Sequence, residues 1–158
     1  MHILQALLCV SLVAAPGWSS PPTKGELIKR TVKTIINIAE ITLEHIKKVR
    51  TKLPVAPQIE VSTPSIDGLT SITHDLALLD NELQSPFTEL LSQIQADVSS
   101  LEGRVRSFAE TMDCPIQAKP QGQTRDNSFP DSHHHETLMK VKLYLDNLIL
   151  HKDKLKVC

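Results

Sequence analysis

Residues 85–115, SPFTELLSQIQADVSSLEGRVRSFAETMDCP, decide the fold. Within them Phe87, Leu91, Ile94, Val98, Leu101, Val105, Phe108 and Met112 recur in alternating steps of four and three. That is the period of one face of an α-helix. Ser85 suits a cap, Pro86 suits the first helical position, and Pro115 bars continuation past Cys114. Gly103 lies off the apolar row, where it costs about 1 kcal/mol relative to alanine. A helix with one continuous apolar stripe must be covered by other elements.

Three further stretches carry the same period. In the first, Thr23 and Glu26 fit a capping box. Ile28, Val32, Ile35, Ala39, Ile46, Val49 and Leu53 follow at helical spacing, and Thr42 alone interrupts the row before Pro54. The second uses Leu69, Ile72, Leu76, Leu79 and Leu83, with Asp67-Gly68 as its opening turn. The last runs from about His133 to Lys156 on Leu138, Val141, Leu145, Leu148 and Leu155, broadened by Leu143, Tyr144, Ile149 and Leu150. The predicted helices span about 24–52, 69–84, 86–113 and 133–156. Charged residues fall on the opposite faces, as solvated helix surfaces usually do.

The connections set the topology. A tight turn at 84–86 makes the second and third helices antiparallel. The first linker, PVAPQIEVSTPSID (54–67), is stiffened by three prolines. At about 3.3 Å per residue it reaches roughly 46 Å. A helix over 24–52 is about 43 Å long. The chain can therefore run back and start the second helix parallel to the first, and the linker at 115–132 allows the same again. Long, short and long connections predict an all-α, up-up-down-down four-helix bundle. Val55, Ile59, Val61, Ile116 and Phe129 in the linkers are expected to cover its gaps and ends.

MHILQALLCVSLVAAPGWSS (1–20) lacks Asp, Glu, Lys and Arg. Its apolar run, Ile3 to Ala15, is too short to span a bilayer and ends at Pro16-Gly17. It reads as a secretory signal peptide cleaved between Gly17 and Ser20, leaving one four-helix domain at 21–158. The exported product is expected to be extracellular, without membrane insertion. Asn37, Asn81, Asn127 and Asn147 all lack the Asn-x-Ser/Thr sequence, so no N-glycan is expected. Cys9 leaves with the leader. Cys114 and Cys158 then meet an oxidising environment, where an intrachain bond is expected and a dimer through Cys158 is the alternative.

Composition and motifs exclude several classes. A net charge of −1 offers no basic excess for nucleic acid. No glutamate has a histidine three residues later, so the di-iron bundle pattern is missing. Neither a phosphate loop nor a Gly-x-Ser-x-Gly elbow is present. The run HHHE (133–136) reads as the solvated start of the last helix, with adventitious zinc binding as the alternative; adjacent histidines point about 100° apart on a helix. No catalytic residue, metal or cofactor is expected. A secreted bundle of this kind acts by contact.

With these features in place, the chain resembles the leptins, long-chain class I helical cytokines, and is most similar to the fish forms. KTII (33–36), TPSIDGLTSI (63–72), MDCP (112–115) and Cys158 carry the resemblance, with the linker pattern. It implies a circulating hormone, expected to act as a monomer. Its partner would be the leptin receptor ectodomain, a class I cytokine receptor, with JAK–STAT signalling in appetite and energy balance. One implied contact, to the receptor's cytokine-homology region, maps to Lys33 and Thr34 with Gln93, Asp97 and Ser100. Ile38 stands where the family has a basic residue, which implies a more apolar patch. The other, to the receptor's immunoglobulin-like domain, maps to Val61 and Ser62 with Ser132 and His133; the family's Ser-Thr pair is Ser-His here. Two other readings are another long-chain cytokine, of the growth-hormone or interleukin-6 type, and a secreted carrier of apolar ligands. The continuous stripe on the third helix argues for a filled core over a carrier's cavity.

Overall fold

The structure is a computed structural model that describes residues 23–53, 60–62, 64–84, 89–120 and 130–158, with side chains of the last helix described from His134 onward. The expected leader with Cys9, the cap at Ser85-Pro86, and linker residues Val55, Ile59 and Phe129 lie outside the described residues. The helices are α1 (Lys24–Arg50), α2 (Leu69–Gln84), α3 (Ser92–Thr111) and α4 (Pro130–Leu150). Short 3-10 turns occupy Glu89–Leu91 and Lys152–Lys156. Among the described residues there is no strand.

α1 opens where the Thr23 hydroxyl accepts the Glu26 N–H at 3.3 Å, the first half of the expected capping box. It buries Val32, Ile35, Ala39, Thr42, Ile46 and Val49. Thr42 is tolerated in that row because its hydroxyl donates to the Ile38 carbonyl at 2.7 Å, leaving no unpaired donor inside. From α2 come Leu69, Ile72 and Leu76, from α3 Ile94, Val98 and Leu101, and from α4 Leu138, Leu145 and Leu148, all essentially sealed from solvent. Each such side chain contributes roughly 1.5–3 kcal/mol by leaving water.

Cross-helix pairs fix the directions. Between α2 and the last segment, Glu82 meets Lys140, Asp75 meets Tyr144, and Leu69 meets Val157. The numbers run in opposite senses, so the two are antiparallel. Between α1 and α3, His45 meets Asp97, while Thr34 shares a groove with Ser107. Between α1 and α4, Lys47 lies beside Lys142, and Lys33 beside Lys156. Thus α1 is parallel to α2 and α3 to α4. This is the up-up-down-down bundle that the linkers predict.

The end of α3 is a Schellman turn, and it comes before Pro115 can act. Cys114 N–H donates to Ala109 O at 2.9 Å and Asp113 N–H to Glu110 O at 3.1 Å. Asp113 takes the left-handed conformation, φ 58°, that glycine usually supplies. The turn aims Cys114 at Cys158, and the two form the disulfide with Cα atoms 5.4 Å apart. In the chain-entropy picture, closing a loop of 44 residues stabilises by about 4 kcal/mol.

The bonded segment also completes α2. The first N–H groups of a helix have no internal partner. Here Leu69 N–H donates to Val157 O at 2.8 Å and Thr70 N–H to Cys158 O at 3.3 Å. A methyl group on Gly68 would lie 2.4 Å from the Cys158 carbonyl carbon, so only glycine fits. The opening turn read at Asp67-Gly68 is a docking point for the far end of the chain.

Several expectations need correction. α4 starts at Pro130, three residues ahead of the expected His133, with proline in the first helical position. His134 and His135 lie in the interior, 6% and 9% exposed, so the expected solvated helix start does not hold at these two positions. α4 also stops at Leu150 instead of continuing to Lys156. His151 leaves helical geometry, and the 3-10 turn swings Leu155 into the core while Leu150 stays 77% exposed. Nor do all charges face outward. Glu102 is fully buried, held by Arg106 at 2.6 Å and by Lys119 at 3.1 Å. Arg106 also donates to Gln117 O and Asn81 to Pro120 O, which pins residues 114–120 against α2 and α3.

Candidate functional site

Gln93, Asp97 and Ser100 recur at four and three, so they share one row of α3, with Asp97 half-buried between exposed Gln93 and Ser100, and Arg104 and Ser107 continue it. On α1 the matching row is Thr34, Ile38, Ile41 and His45. The antiparallel packing lays these rows side by side, with His45 level with Asp97 and Thr34 level with Arg104 and Ser107. Thr34 and His45 are 11 residues apart, about 16 Å of helix rise. The Asp97 carboxylate is engaged twice, by His45 Nδ1 at 2.5 Å and by the Gln93 amide at 2.9 Å. The pair ties the two helices together at one end of the surface.

At the other end a groove of about 420 Å³ separates α1 from α3. Its floor is apolar, with Ile28, Ile35 and Phe108, and Thr34 and Arg104 stand on its walls. Ile38, expected to form an apolar patch, is half-buried and packs on the core. Ile41, 53% exposed, is the apolar residue that this row offers to solvent.

Lys33 does not join that surface. Consecutive residues on a helix point about 100° apart. Thr34 fronts α3, so Lys33 turns to the opposite flank of α1. There it lines a groove of about 350 Å³ against the 3-10 turn, with Lys29, Val32, Ile36, Lys152 and Lys156. The five residues expected at one contact are therefore split, with Thr34 beside the α3 row of Gln93, Asp97 and Ser100 and Lys33 on another flank of α1. Simple extension of the two helical rows adds Ile41, His45 and Arg104 to the α1–α3 surface.

Val61 is half-buried and Ser62 exposed. Ser62 stands over a cleft of about 200 Å³ between α2 and α4, lined by Asp75, Leu78, Glu82, Lys140 and Tyr144. Lys140 bridges Glu82 and Glu136, both at 3.3 Å. Tyr144 donates to Asp75 at 2.9 Å. Burial is the main cause that lifts both groups above their ordinary values; the Tyr144 bond opposes the rise at Asp75. Position 133 is seven residues before Lys140, about 10 Å along α4. The side chains of Ser132 and His133 lie outside the described residues.

These surfaces offer shape and charge for contact. Comparison with known proteins gives them a family. No family model matches the chain. Leptin-B of the medaka Oryzias latipes is 51% identical over 158 residues, which cover the whole of both chains. The chain belongs to the leptin family. Leptins are hormones and not enzymes, and a bundle that presents surfaces for contact fits that role. The match is end to end, so both candidate surfaces fall within it. Among the described residues, no helix of this leptin-family chain is long and apolar enough to cross a membrane.

Proposed function

We propose that the chain is a secreted hormone that binds a class I cytokine receptor of the leptin type as a monomer. By holding receptor chains together it triggers JAK–STAT signalling in the control of appetite and energy balance. The observation that carries this reading is the 51% identity to medaka Leptin-B over the full length. Holding two chains on one rigid body raises their effective concentration, so no catalytic step is required.

The first contact in this reading is the α1–α3 surface, with Thr34, Gln93, Asp97 and Ser100 as its polar groups and His45 orienting Asp97. Lys33 contributes from the adjoining flank. The second contact combines Val61 and Ser62 with Ser132 and His133 at the start of α4. The test is a reporter assay in cells carrying a leptin receptor, run beside binding to the purified ectodomain. Ser100→Arg and Lys33→Glu should lower ectodomain affinity about tenfold without changing the helical circular dichroism. Full affinity in both would mean that the first contact is misplaced. Altering Ser132 and His133 together should reduce signalling more than binding, and equal losses would argue against a separate second contact.

A further inference from the structure

The flank that took Lys33 away from α3 has a chemistry of its own. Lys29 and Lys33 sit one turn apart on α1, and Lys152 and Lys156 face them from the 3-10 turn across the groove. Val32 and Ile36 lie between the two walls. One acid, Asp153, lines the groove. Among the described residues, no carboxylate lies within ion-pair distance of these four lysines, Asp153 included. On the far side of α1, Arg30 and Arg104 border the α1–α3 groove, where no acid lines the walls. A band of cations thus crosses three elements at one end of a molecule whose net charge is −1. Like charges gathered without counter-charges repel one another, and a polyanion relieves that repulsion.

We propose that this band binds a sulfated polysaccharide of the cell surface or extracellular matrix. Three features favour a linear polyanion over an acidic patch on a folded protein. The cations are exposed, they are spread along two grooves, and four of them are lysines. Lysine presents a mobile point charge that suits successive sulfates better than one fixed, forked contact. The four-lysine groove is the anchor, and Arg30 and Arg104 extend the path around α1. Clustered Lys and Arg segments are the usual footprint of such ligands. The contact would keep the hormone near the membrane where its receptor stands, and it is independent of which receptor that is.

The test is binding of the oxidised protein to size-defined heparin across a salt series, with unsulfated hyaluronan as the comparison. Release of roughly 0.7–0.9 counterion per neutralised cation predicts a log–log salt slope of about −5 for the four lysines with Arg30 and Arg104. The triple variant Lys29→Gln/Lys152→Gln/Lys156→Gln leaves Lys33 in place. It should bind at least tenfold more weakly near physiological salt, with its slope reduced to about −2 because Arg30 and Arg104 also remain. The control Lys47→Gln/Lys48→Gln/Lys52→Gln removes the same charge from the other end of α1 and should keep the parent affinity. All six exchanged lysines are exposed, so circular dichroism should not change. The proposal is overturned if the parent does not bind heparin, if hyaluronan binds equally well, or if both variants lose affinity alike. It also fails if the triple variant loses the receptor ectodomain but keeps heparin, because the groove would then serve an acidic receptor segment.

Discussion

Gly68→Ala should destabilise the protein by about 2–3 kcal/mol, and most of that loss should vanish when Cys158 is changed as well. The backbone of Gly68 does not have positive φ, so alanine carries no conformational penalty there. The cost is steric. The new methyl would meet the Cys158 carbonyl carbon at 2.4 Å and its oxygen at 2.5 Å, against an ordinary contact of 3.4–4 Å. Residues 157–158 must retreat by about 1 Å, which breaks or lengthens the bonds from Leu69 and Thr70 N–H. Each is worth about 1 kcal/mol net, and residual strain adds to them. With roughly 0.28 kcal/mol/K of unfolding entropy for a domain of about 135 residues, the melting temperature should fall by about 9 °C. Cys158→Ser alone should lower it by about 14 °C, from the 4 kcal/mol of loop closure. In that background the segment can withdraw freely, so Gly68→Ala should cost under about 1 kcal/mol. The cycle should therefore show a coupling of at least about 1 kcal/mol. The assay is urea and thermal unfolding of the four proteins, each with its thiol state verified. Additive losses would refute the idea that the disulfide holds residues 157–158 against α2.

Asp113→Gly should stabilise the oxidised protein by up to about 1 kcal/mol, because glycine holds the left-handed turn without strain; a lower urea midpoint would contradict the Schellman reading. Glu102→Ala should cost about 1–3 kcal/mol, since it removes the buried acceptor of Arg106 and Lys119 while both cations still reach solvent. The same variant should speed amide exchange or proteolysis in residues 114–120, whereas unchanged protection there would mean that this network does not hold the linker. Burial raises the Asp80 carboxyl above its ordinary value of 3.8, against bonds from Gln95 and Gln84 and the charge of Lys119. The proton then favours the folded state, so this contribution is complete below pH 3.8 and is lost as pH rises through the raised value. Asp80→Asn should gain stability over the parent as the pH climbs from about 4, and a gap that does not vary with pH would be the contrary result.

What could be read from the sequence was whatever the chain states locally and repeatedly. The rows of α1 and α3 gave their buried faces, since an apolar residue every three or four positions leaves one choice of inward side. Linker reach gave the topology, and two cysteines outside the expected leader gave the bond. The misses depend on partners distant in sequence. Glu102 looks like a surface charge until Lys119 arrives from the linker beyond α3. The role of Gly68 becomes visible only when residues 157–158 lie against it. The division of Lys33 from Thr34 is a different kind of miss. It follows from the 100° between successive residues, which sends neighbours in the chain to different flanks of the helix.

The completion of α2 by residues 157–158 also has an order in time. Residue 69 leaves the ribosome long before residue 158 does. Until the later residues emerge, α2 has neither an acceptor for Leu69 N–H nor a neighbour at Gly68. A contact spanning about 90 positions forms slowly, because so much chain must be gathered before it is rewarded. The nascent hormone therefore holds a helix with an unfinished first turn until synthesis is past its last cysteine. A thiol that caps Cys114 as a mixed disulfide during this interval must be exchanged off before the bond to Cys158 can hold that turn complete.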